Sequence, residues 1–107
     1  MALYTVAESQ RISLGQFGSA FVDTVGQYTP PSGLKIAMIT MLTDVEFAEL
    51  TPTDASVCFG TTAASPGSGG DTVTSSDTFP AGVTIYGRWN SCTLQTGGDK
   101  ILMYFGA

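Results

Sequence analysis

Leu34-Lys-Ile-Ala-Met-Ile-Thr-Met-Leu-Thr43 is the stretch whose reading decides the fold. Side chains of a β-strand alternate between the two faces of a sheet. Strict alternation sends Leu34, Ile36, Met38 and Leu42 one way, and Ala37, Ile39 and Met41 the other. Both sets are apolar, which predicts a central strand buried on both faces. In so small a domain, the second face is expected to be covered by another subunit. Ile39 and Met41 are then interface candidates.

Working outward, the neighbouring segments have the same character. Val83-Thr-Ile-Tyr-Gly-Arg-Trp-Asn-Ser-Cys-Thr-Leu94 reads as one long strand, or as two joined by a bend at Gly87. Lys100-Ile-Leu-Met-Tyr-Phe105 reads as the last strand. Thr96-Gly-Gly-Asp99 between them has the composition of a tight hairpin and predicts that the two pair. Further strands are expected near Arg11–Leu14, Ala20–Val25, Val45–Leu50, Ser56–Phe59 and Thr72–Thr78. Turn clusters recur between these segments, among them Thr29-Pro-Pro-Ser-Gly33, Thr51-Pro-Thr-Asp54 and Phe79-Pro-Ala-Gly82. Thr61 to Asp71 is a loop rich in Gly and Ser. No window holds a helical apolar stripe over three turns. The expectation is an all-β chain, residues 1–107 forming one small antiparallel sandwich or jelly-roll-like barrel.

Composition narrows the function classes. Charged residues make up 12% of the chain, about half the usual share. So few charges suit a protein that covers much of its surface with partners, and a homo-oligomer is expected. Net charge is −5, and the only basic residues are Arg11, Lys35, Arg88 and Lys100, scattered along the chain. Nucleic acids and anionic membranes need clustered Lys and Arg, so neither is an expected partner. The first residues carry neither a basic start nor a sustained apolar stretch, and synthesis and folding in a cytoplasm are expected.

The chemistry available is limited. The sequence has no histidine, which removes the commonest general base and metal ligand. It holds no phosphate-binding Gly-rich loop and no nucleophile elbow. No catalytic, cofactor-binding or metal-ligating residue is assigned, and no cofactor is expected. Asp44, Glu46 and Glu49, with Asp54, are the one acidic group that could hold a hard cation. The competing reading is a solvated strand edge whose charges discourage unwanted pairing. Carboxylate-only glycan cleavage stays open in principle. Cys58 and Cys92 lack metal-site spacing and read as two free, buried thiols, with a disulfide between them as the alternative. Tyr86 and Arg88 fall on one strand face and are further interface candidates, since Tyr and Arg are enriched at binding hot spots. Trp89 aligns with Val83 and Ile85 and reads as core.

Phe79-Pro-Ala-Gly-Val-Thr-Ile-Tyr-Gly-Arg-Trp-Asn-Ser-Cys-Thr-Leu-Gln-Thr-Gly-Gly98, followed by a final apolar strand, resembles the C-terminal half of small tailed-bacteriophage virion proteins. The Thr29-Pro-Pro-Ser-Gly33 turn and the run from Phe47 to Pro52 are similar to the same group. The resemblance implies a structural protein of the capsid decoration (cement) kind, often a homotrimer. Such a protein sits on the outer capsid surface and clamps neighbouring capsomers of the major capsid protein. The alternative is a phage tail, baseplate or fibre module that binds host glycan or protein through its aromatic face.

Overall fold

Strands form here where β-branched, aromatic and long apolar residues run between Gly, Pro and Asp turns. The computed structural model describes residues 17–62 and 66–107. Six strands lie among them: β1 (Ser19–Val22), β2 (Gln27–Tyr28), β3 (Lys35–Met41), β4 (Phe47–Pro52), β5 (Thr84–Leu94) and β6 (Ile101–Gly106). All pairings are antiparallel, and no helix occurs among the described residues. The chain is an all-β protein whose single antiparallel sheet curls into a half-barrel.

The lateral order is β1-β6-β3-β5-β4. β5 is long enough to serve two partners on one edge. Its first half pairs with β3, Ile39 opposite Ile85, and its last residues pair with β2, Tyr28 opposite Cys92. β4 takes the C-terminal half of its other edge, from Leu94 to Trp89. The 29–34 turn therefore interrupts what is otherwise a single strand running beside β5.

β5 and β6 do not pair with each other, contrary to the hairpin expected from Thr96-Gly-Gly-Asp99. β3 inserts between them and pairs with both. The turn is nonetheless tight, with Asp99 N–H bonded to the Thr96 carbonyl. A central strand gains two ladders and burial, which outweighs one local hairpin. The strands expected at Ser56–Phe59 and Thr72–Thr78 are turns and irregular chain, and Val45 makes only an isolated bridge to Phe79. The strand expected at Arg11–Leu14 lies outside the described residues. Gly87 does not divide β5, which runs unbroken from Thr84 to Leu94.

Bulges explain both the curl and the packing. The register shifts between Ile36 and Met38, between Phe47 and Glu49, and between Thr51 and Pro52. An extra residue in one strand bends it, increases its twist and reverses the facing of everything beyond it. Inward side chains consequently fall three apart at Ile36 and Ile39, Phe47 and Leu50, and Trp89 and Cys92, all buried. With Met41, Leu94, Ile101, Met103 and Phe105 they fill the concave side. Trp89 is fully buried, as its place in β5 predicts.

The long connection between β4 and β5 closes that concave side. Phe59 stands edge-on to Trp89 at 5.5 Å, and Phe79 edge-on to Phe47 at the same distance. Backbone bonds hold the connection down: Thr61 N–H to the Leu50 carbonyl, Val73 N–H to that of Gly60, and a reciprocal pair between Val45 and Phe79.

Candidate functional site

The outward side of the sheet divides into two regions. Alternation along β5 leaves Tyr86 and Arg88 pointing outward together, as read from the sequence. Met38 lies across from both Tyr86 and Tyr104, and Tyr104 across from Ser19. In the next row Thr40 lies across from Thr84 and Leu102, and Leu102 across from Phe21. The Thr40 and Thr84 hydroxyls bond each other at 3.0 Å, which satisfies the polar atoms at the centre without a charge. Tyr86, Phe21 and Leu42 are 69%, 54% and 47% exposed, whereas Met38, Leu102 and Tyr104 are half-buried. Together these side chains form a contiguous apolar patch across four strands, with no charged side chain at its centre.

Two of the four interface candidates lie on this patch or at its margin. Tyr86 is its most exposed member. Arg88 borders it, and its guanidinium donates to the Ala107 carbonyl, tying β5 to the end of β6. Ile39 and Met41 are corrected: both are 0% exposed and face the chain's own core. The bulge at Ala37 reverses the alternation, so β3 turns Met38, Thr40 and Leu42 outward in their place. Sequence reasoning missed Met38, Phe21 and Leu102, because only the register brings them into adjacent rows of one face.

The second outward region is polar and centres on Glu49. Its carboxylate accepts hydrogen bonds from the hydroxyls of Thr51, of Ser91 at 2.8 Å and of Thr93 at 3.1 Å, with Gln27 Nε2 at 3.5 Å. Partial burial pushes this carboxyl up, but the four hydrogen bonds outweigh it and hold it below the ordinary glutamate value. Its charge helps raise the Cys92 thiol on the opposite side of β5, which burial chiefly pushes up to about 12. Glu49 is thus an internal tie between β4, β5 and β2, with its oxygens already engaged.

Asp44, Glu46 and Asp54, the rest of the acidic group read from the sequence, each bond their own local structure and do not join Glu49 in one site. Asp44 accepts from Ala81 N–H at 2.9 Å, and Glu46 from the Thr78 hydroxyl at 2.8 Å. Asp54 caps the following turn through Ser56 N–H and hydroxyl. Among the described residues no three His, Cys, Asp or Glu side chains form a group able to hold a metal ion. An open cleft of about 280 Å³ lies beside the β1–β2 connection, lined by Phe21, Asp23, Gln27 and Tyr28, without a nucleophile and base in concert.

Cys58 and Cys92 are free and buried. Burial raises the Cys58 thiol, against which the Arg88 N–H bond to its sulfur acts in the opposite sense.

Comparison with family models, with curated proteins and with solved structures found no match to this chain.

Proposed function

We propose that this chain is a structural protein of a tailed-phage virion, a decoration or cement protein that binds neighbouring capsomers on the capsid surface. The observation that carries the reading is the apolar outward patch of β1, β6, β3 and β5. Tyr86, Phe21 and Leu42 stand exposed there on a chain with few charges to keep a bare surface soluble. The resemblance of Phe79–Gly98 to virion proteins supplies the kind of assembly. On this reading the protein is made in the host cytoplasm, has no catalytic role, and has the major capsid protein as its partner.

The test is co-sedimentation of the purified protein with empty mature tailed-phage capsids stripped of decoration. Saturable binding at a fixed ratio to capsomers is expected. Absence of binding to capsids, together with recognition of a glycan array, would replace this reading with the tail or fibre alternative. Tyr86 would then serve as an exposed stacking platform.

A further inference from the structure

The apolar patch has differently charged ends. At one end Lys35 lies across from Gly106, and Arg88 precedes Trp89, the partner of Ile36. This end is basic. At the other end Met41 and Val22 both lie across from Ile101. Asp23 follows Val22, Asp99 and Lys100 precede Ile101, and exposed Asp44 lies just beyond Met41. Exposed Asp23 and Asp44 outnumber Lys100 and make this end acidic, while Asp99 is half-buried with its Oδ2 enclosed. Lys35, Arg88 and Lys100 are the basic side chains among the described residues, and all three border this patch.

From this layout we infer that the patch pairs with the same patch of a second copy, about a two-fold axis lying in the interface and running across the strands. Such an axis exchanges the ends, so Lys35 and Arg88 of one copy meet the acidic end of the other, twice over. An axis along the strands would set basic end on basic end and is disfavoured. The two sheets then pack face to face as the halves of a sandwich, with the apolar side chains of β3 and β6 at the centre. The patch covers roughly 300 Å² of projected sheet, from strand spacing and residue rise. A stable interface needs about 800 Å² per partner, so the patch is the dry centre and the charged ends supply the rim. This pairing rests on the reading that the patch is buried in an assembly; once paired, the patch is closed to capsomers, and the dimer attaches to a particle through its remaining surface.

Sedimentation equilibrium of the full chain at micromolar concentration tests it, with mutations that reverse one end at a time. The wild type is expected at twice the chain mass. Lys35→Glu and Asp44→Lys, each alone, should weaken self-association by about tenfold or more, since each sets like charges together twice per dimer. Mixing the two variants should restore dimers, because a Lys35→Glu chain and an Asp44→Lys chain complement each other at both contacts. Asp44 also accepts from Ala81 N–H. Asp23→Lys, at an exposed position of the same end, therefore serves as a second acidic-end variant if circular dichroism shows that Asp44→Lys is unfolded. A monomeric or trimeric wild type overturns the inference, as does a dimer indifferent to both variants or a mixture that fails to re-associate. An intact two-fold dimer that ignores capsids would instead remove the virion reading and leave the pairing standing.

Discussion

The indole Nε1–H of Trp89 donates a 2.9 Å hydrogen bond to the carbonyl of Phe59, whose ring stands edge-on to the indole. One side chain of β5 thereby pins the long connection that closes the concave side. Gly87 makes room for it: a Cβ there would sit 2.7 Å from the Trp89 ring and 2.9 Å from Cys58 Sγ. Trp89→Ala should cost about 3–5 kcal/mol, the usual loss for a buried large aromatic. Gly87→Ala should cost about 1–3 kcal/mol by overpacking. Urea melts read by circular dichroism check both, and an unchanged midpoint for either variant contradicts the packing described.

Glu49 sets an acid limit on stability. Its carboxyl titrates lower in the folded chain than its ordinary value of 4.5, so its contribution is complete above that value. The contribution fades as pH falls through the lower, folded value. Asp54 is also held low, by its bonds from Ser56, and acts in the same window, so the comparison must be with a variant. Glu49→Gln should cost about 1–2 kcal/mol near neutrality, because an amide cannot accept from four donors and leaves part-buried hydroxyls unpaired. The gap between wild type and variant should close on acidification. A gap that stays constant down to acid pH would show that Glu49 acts through shape and not charge.

The buried thiols should be silent in the native state. With its pKa near 12 against an ordinary 9.0, Cys92 carries roughly a thousandfold less thiolate at mildly alkaline pH than a free cysteine. A thiol-specific disulfide reagent should label neither Cys58 nor Cys92 rapidly in the native protein, and both in denaturant. The sign for stability follows from the raised value. The contribution of Cys92 is complete below the ordinary thiol pKa and is lost as pH rises toward the folded one. Fast native labelling of Cys92 would mean that β5 opens far more readily than a central strand should.

Attachment to a particle should survive molar salt. The few basic residues are dispersed along the chain, so attachment on the proposed reading rests on apolar and backbone contacts. Screening acts on exposed charges while leaving apolar burial intact or strengthened. Reductant should have no effect, because both cysteines are free. Pellet and supernatant compared after each wash decide the matter. Release by salt alone would reveal an electrostatic clamp, and release by reductant alone a disulfide on which attachment depends.

Much of the architecture was legible from residue order alone. The class, the places of β3, β5 and β6, the burial of Trp89 and the free thiols all follow from local pattern. Apolar runs, β-branched residues and turn clusters act over a few residues and need no distant partner to be read. Three things were decided only by the tertiary structure. The insertion of β3 between β5 and β6 follows from which long-range ladders bury the most surface, and Thr96-Gly-Gly-Asp99 carries no trace of it. The bulges at Ala37, Ala48 and Asn90 exist only relative to neighbouring strands. Each reverses the alternation of its own strand, and the one at Ala37 turns Ile39 and Met41 into the core while Met38 and Leu42 turn out. The candidate site depends on both, since Tyr86, Met38, Tyr104, Leu102 and Phe21 become one surface only when four strands are laid in register. A sequence specifies which residues seek burial; the face on which they find it is set by pairing across the sheet.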